Sequence, residues 1–164
     1  MTAQTAQTAQ TAQTTPADRA DQMDRAEIGE LVHRFFRALD ERRFTPGWTA
    51  GLLTDDARME TPLGYSRGAA AVRATEEALG RYDRTQHLAS GIIADVDTTA
   101  TASWNALMVH VRGDAPFMVG GRFEAGLRRT AGGWRFDRMA VRAIWTQGEP
   151  PAAVTAGPTA PRVG

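Results

Sequence analysis

The chain contains no cysteine in its 164 residues. That excludes disulfides, thiolate nucleophiles and cysteine-ligated metals, and it fits a reducing cytoplasm. Charge of one sign is also missing: 19 Lys and Arg balance 19 Asp and Glu. No net field therefore draws the chain to nucleic acid or to an acidic membrane surface. No stretch approaches the roughly 20 apolar residues of a membrane-spanning helix. The N-terminus has neither the basic region nor the apolar run of a signal peptide. Histidine is scarce, at three residues, His33, His87 and His110. They lack the spacing of a ligand cluster, so neither a metal nor another cofactor is expected.

What is present begins with a near-perfect Thr-Ala-Gln repeat from Thr2 to about Gln13. It offers no large apolar side chain to bury, and its period is too short for a solenoid unit. Residues 1–21 are therefore expected to form a disordered tail. The Pro- and Ala-rich stretch 148–164 reads the same way. Residues 22–147 remain as one domain, long enough for a single core.

Within it, Ile28, Leu31, Val32, Phe35 and Leu39 mark the buried stripe of a first helix. Phe36 and Asp40 lie four apart on a line beside that stripe, and His33 falls on the polar side. Thr45-Pro46-Gly47-Trp48 breaks the helix, and a short helix to about Leu53 is expected next. Thr54-Asp55-Asp56-Ala57 reads as a turn, Arg58 to Pro62 as a short strand, and Gly64 to Gly68 as a loop. A further helix runs from Ala69 to about Leu79. Long strands follow over Leu88–Val96, Thr101–Val111, Met118–Arg128 and Trp134–Trp145, with turns near Asp97, Gly113 and Thr130. The pattern is α+β, two or three helices followed by an antiparallel meander. In the second long strand, alternation places Trp104, Ala106, Met108 and His110 on one face, suited to a pocket wall. Gly120-Gly121 lies inside a strand pattern and reads as a bend or bulge, not a phosphate loop.

Arg84-Thr85-Gln86-His87-Leu88 with Gly91, the segment Leu52 to Ala57, Trp134-Arg135-Phe136 and the closing Ile144-Trp145 carry a resemblance. In this order they resemble the nuclear transport factor 2-like superfamily, in its SnoaL-like and scytalone dehydratase-like branch, over about residues 24–147. The resemblance implies a cone-shaped α+β barrel, with N-terminal helices packed on a curved antiparallel sheet. It also implies a dehydratase or cyclase acting on a polyketide-like cyclic molecule without a cofactor, and assembly as a homodimer or homotrimer. The family's catalytic histidine falls on His87, its aspartate on Asp40, and its second pocket histidine near His110. The two tyrosines of scytalone dehydratase fall on Leu39 and Thr61, and a pocket asparagine falls near Phe123. Ketosteroid isomerase chemistry lacks its aspartate at Thr61 and its tyrosine at Phe35.

A carboxylate that accepts the proton of one imidazole nitrogen fixes the tautomer and raises the basicity of the other. Asp40 and His87 would then form an acid-base dyad, worth roughly 10²–10⁴-fold in rate. His110 would donate to a substrate oxygen and stabilise an enolate. Phe36, Trp48, Met59, Thr61, Tyr65, Trp104, Met108, Phe123 and Trp145 are the expected pocket lining. The other reading leaves His87 at a strand end in solvent and the fold as a non-catalytic binding or assembly module. Geometry separates the two. Catalysis requires the dyad at hydrogen-bond distance in a closed apolar cavity, whereas a filled interior favours the module.

Overall fold

The computed structural model describes residues 15–151. The Thr-Ala-Gln repeat and residues 152–164 lie outside the described residues. Helix α1 (Pro16–Glu41) starts six residues before the expected boundary at 22. Polar capping starts it, not apolar content. The Thr15 hydroxyl accepts the Asp18 N–H at 3.1 Å, and the Asp18 carboxylate accepts the Thr15 N–H at 3.0 Å. Pro16, with its fixed φ, occupies the first turn. Ile28, Leu31, Val32, Phe35 and Leu39 are buried as the spacing indicates, and Phe36 joins them. The helix ends at Arg42, which adopts a left-handed φ of 52°. Its N–H donates to the Ala38 carbonyl and its guanidinium to the Tyr82 carbonyl at 2.5 Å.

Residues 43–52 form successive hydrogen-bonded turns, not the expected short helix. Gly47 (φ 80°) and Gly51 (φ 89°) take a conformation that a right-handed helix does not contain. Strand β1 (Leu53–Thr61) absorbs Thr54 to Ala57, where a turn was expected. Strand β2 (Gly64–Arg67) replaces the expected loop. Pairing decides both: β1 runs parallel to β6 and antiparallel to β2. Local turn propensity is the weaker influence there. Helix α2 (Ala69–Gly80) follows. The meander is β3 (Arg84–Val96), β4 (Ala100–Arg112), β5 (Ala115–Thr130) and β6 (Gly133–Gln147).

These strands make one six-stranded sheet in the order β2-β1-β6-β5-β4-β3. It is mixed rather than wholly antiparallel, because β1 and β6 run parallel, and it does not close. Two helices, α1 and α2, occur among the described residues. Register shifts between Ser90 and Ile93, at Gly120/Gly121 and at Gly126/Leu127 are the bulges that curve the sheet. The paired glycines are therefore a bulge, as their place in a strand pattern suggests.

The inner face of β4 buries Trp104, Ala106, Met108 and His110, while Asn105 and Leu107 on the outer face are exposed. The core lies between α1 and this inner face, with Ile28, Leu31, Trp104, Leu127, Trp134 and Phe136 almost without exposure.

Leu31→Ala is expected to cost about 2–5 kcal/mol, because it opens a cavity in packed core. Thr15→Ala is expected to fray residues 16–22 in hydrogen exchange, with little change in melting temperature. A large Tm loss in Thr15→Ala would mean that the capped turn belongs to the cooperative core.

Candidate active site

Asp40 lies in the last turn of α1, and His87 is the fourth residue of β3. The helix packs along that strand, and the carboxylate meets β3 in three places. Its Oδ1 is 2.6 Å from His87 Nδ1 and accepts the Thr85 hydroxyl at 3.0 Å. Its Oδ2 accepts the His87 backbone N–H at 2.9 Å. An ionised carboxylate only accepts hydrogen bonds, so the arrangement assigns the proton to Nδ1 and leaves Nε2 with its lone pair. The His87 side chain is 3% exposed and that of Asp40 24%. Burial works to raise the Asp40 carboxyl. The hydrogen bonds from His87, its positive charge when protonated and the Thr85 hydroxyl outweigh burial and hold the carboxyl below its ordinary value.

His110 stands beside the pair. Its ring centre is 5.4 Å from that of His87, edge to face, and 4.8 Å from that of Tyr82. The two strands place them side by side: Thr85 pairs with His110 and His87 with Met108. Burial lowers the His110 pKa to about 4, and the neighbouring His87 adds to this. The Phe117 backbone and the Asp40 charge pull the other way. His110 is neutral near pH 7, and its Nδ1 has no hydrogen-bond partner among the described residues. Burial also raises the Tyr82 hydroxyl above its ordinary value.

The structure brings together Asp40, His87 and His110 with Phe36, Trp104, Met108 and Phe123. The Phe36 ring lies 5.3 Å from His87 and packs edge-on against both Trp104 and Phe123. Trp104 and Phe123 stack at 5.0 Å. These side chains fill the interior and do not line an enclosed cavity. Met59 is buried but faces α2, where the Thr75 hydroxyl reaches its sulfur. Trp48 donates its indole N–H to Glu76 at 2.7 Å and packs on Phe44, so it braces the turns against α2.

Three more of the expected lining residues, besides Met59 and Trp48, lie away from the dyad. Thr61 uses its hydroxyl within the β1–β2 turn, bonding Gly64 O and Leu63 N. Tyr65, on the edge strand, is 65% exposed. Trp145 is 48% exposed. Plain alternation would give it the face of Val141 and Ala143, but Ile144 is an extra residue at the register shift. Trp145 therefore pairs with Gly120 and lies over it, with ring atoms 2.1 Å from where a Cβ would stand.

The space beside the dyad is a recess of about 500 Å³, open to solvent and lined by His33, Phe36, Arg37, Asp40, Glu41 and His87. His33, Arg37 and Glu41 follow a spacing of four along α1, and Arg37 pairs with Glu41 at 3.3 Å. None of these three had been assigned a role from the sequence. Their signal was available, since they share the exposed flank of α1 with Asp40. Thr85 was also missed as a ligand of Asp40, although it stands two residues from His87 on the same strand face. Among the described residues, no group of three or more His, Asp or Glu could hold a metal ion. No described helix is long and apolar enough to cross a membrane.

Comparison with curated proteins finds no match. Among solved structures, a candidate scytalone dehydratase from Novosphingobium aromaticivorans is similar at TM-score 0.71 and 21% identity. The match covers 80% of this chain and 91% of that one. The hexachlorocyclohexane dehydrochlorinase LinA-type3 from Novosphingobium barchaimii is similar at TM-score 0.69 and 18% identity, covering 84% and 98%. A nuclear transport factor 2-like superfamily protein from Salmonella enterica is similar at TM-score 0.67 and 17% identity, covering 84% and 98%. At these identities the likeness shows the fold. Residues 21–140 match the family model of the SnoaL-like domain. The chain therefore belongs to the SnoaL-like domain family, built on the nuclear transport factor 2-like fold.

Proposed function

We propose that the protein is a cofactor-independent acid-base enzyme, a dehydratase or cyclase of polyketide-like cyclic molecules, working in the cytoplasm. One observation carries the reading: His87 Nδ1 sits 2.6 Å from Asp40 Oδ1, with the imidazole buried. Held this way, His87 uses Nε2 to remove a proton next to a substrate carbonyl. The same nitrogen, now protonated, gives that proton to a departing hydroxyl, so water leaves as the carbon–carbon double bond forms. Asp40 stabilises the imidazolium between the two steps. Neutral His110 steadies the enolate oxygen through a hydrogen bond.

A second reading has its own support. Phe36, Trp104, Met108 and Phe123 fill the interior where a closed cavity was required, and this favours a non-catalytic binding or assembly module. Turnover decides between the two. On cyclic β-hydroxyketones, followed by the growth of enone absorbance, His87→Ala and Asp40→Asn are each expected to lower the rate roughly 10²–10⁴-fold. Full activity in both variants would remove the dyad from the mechanism.

The state of His110 has a signature in stability. Its folded pKa, near 4, lies below its ordinary value of 6.5. Between those values the unfolded chain takes up the proton and the folded one does not, so stability falls as the pH is lowered through this window. Asp40, with its lowered carboxyl, adds a loss of the same sign further into acid. In Tm measured from pH 7 to 4, His110→Phe is expected to flatten the slope. An unchanged slope would mean that His110 is not held neutral by burial.

For partners, we propose a small-molecule substrate and a second copy of the chain, as a homodimer or homotrimer. On the outer face, Leu88 pairs with Leu107, Leu107 with Gly120, and Gly120 with the exposed Trp145. This exposed apolar row crosses four strands and suits association. Leu107→Glu is expected to shift the mass seen by light scattering to that of a monomer. A monomeric wild type would end the proposal.

A further inference from the structure

The interior contains a polar atom that the dyad chemistry does not use. Trp104 is 0% exposed, yet its indole Nε1–H has no hydrogen-bond partner among the described residues. His110 Nδ1 is unpartnered as well, and both residues stand on the inner face of β4. A buried donor without an acceptor carries its full desolvation cost, and proteins satisfy nearly all such groups. A phenylalanine could stack on Phe123 as Trp104 does, at 5.0 Å and 9°, without that cost. The third unpartnered ring nitrogen, Trp134 Nε1, belongs to the opposite end of the molecule. Arg129 covers the Trp134 ring, and Glu27, thirteen residues before Asp40 on α1, accepts the Trp134 backbone N–H.

Trp104 also lies near His87, sharing the inner face of β4 with Met108, which pairs with that histidine. One aromatic ring, Phe36, separates them, 5.3 Å from His87 and 6.1 Å from Trp104. These two steps exceed the width of a single six-membered ring. We infer that Trp104 Nε1–H is a substrate-binding donor, which donates a hydrogen bond to an oxygen of a polycyclic ketone whose reacting end lies at His87. This rests on the reading of the dyad as the reacting centre and deepens it. The ligand takes its place beside Phe36 as that ring and the flexible Met108 shift, and its far oxygen satisfies the indole. Specificity then arises from one directional hydrogen bond in an apolar surround, where a ligand without the oxygen leaves the donor unpaired.

Binding of 1-tetralone and of tetralin, which has the same rings without the carbonyl, tests this without any turnover. Calorimetry is expected to give about tenfold tighter binding of tetralone to the wild type, the factor of one neutral hydrogen bond. In Trp104→Phe the ratio is expected to fall to near one, with tetralin affinity kept. In the ¹⁵N-labelled wild-type protein, the Trp104 indole resonance, assigned through its through-space contacts to Phe36 and Phe123, is expected to move on saturation with tetralone. The indole readout does not depend on the folding of the variant. A retained tenfold preference in Trp104→Phe, an unmoved Trp104 resonance, or no binding of either probe would each overturn the inference. Loss of turnover in the dyad variants with tetralone preference intact separates this binding role from the chemistry. An inactive wild type that still shows the tetralone preference would remove the catalytic reading and leave Trp104 as a ligand donor.

Discussion

The Asp40 carboxylate is the joint on which the site depends. It closes the end of α1 onto the start of β3 with the His87 backbone, the His87 ring and the Thr85 hydroxyl. A half-buried carboxylate loses hydration, and here three hydrogen bonds from one short stretch of strand replace it. The backbone bond fixes the strand against the helix, and the Nδ1 bond fixes the ring, which cannot turn without losing it. Helix position, imidazole tautomer and ring orientation are therefore one constraint. Arg42 reinforces it from the next turn by reaching the Tyr82 carbonyl just before β3.

Sheet curvature supplies the other half of the arrangement. Bulges at Ser90/Ile93 and Gly120/Gly121 bend long strands around α1. The bend gathers Phe36, Trp104, Met108 and Phe123 beneath the dyad, and the same bulge at Gly120 turns Trp145 outward. One irregularity thus divides the aromatic residues between an inner core and an outer apolar row. Within the core, polar contacts concentrate at one end, where His87, His110 and Tyr82 meet. The unpartnered Trp104 indole lies one ring further in.

Much of this was legible in the residues. The stripe Ile28 to Leu39 and the alternation Trp104 to His110 are strong periodic signals, because each places many apolar groups on one face. In the short stretch from Thr54 to Gly68 the strand expected from Arg58 is present, but 54–57 and 64–67 are strand where a turn and a loop were expected. Its Asp, Thr, Pro and Gly content favours turns locally, yet the edge of β6 provides hydrogen-bond partners that turn it into strand. The turns at 43–52 went the other way, since left-handed glycines stop a helix that composition would permit. The contact between Asp40 and His87 was legible through motif resemblance. Thr85 and the α1 flank of His33, Arg37 and Glu41 were left without a role, although strand alternation sets Thr85 beside His87 and a spacing of four sets the flank beside Asp40.

By itself the sequence determined which residues can bury and where the long elements run. Those properties follow from periodicity and side-chain chemistry, which are local. Only the tertiary structure decided that β1 pairs parallel to β6, that the interior is filled, that Trp145 faces outward and that Asp40 has a third ligand in Thr85. Each of these depends on strand register and on the approach of surfaces far apart in the chain. A one-residue shift there exchanges inside for outside without changing any local preference.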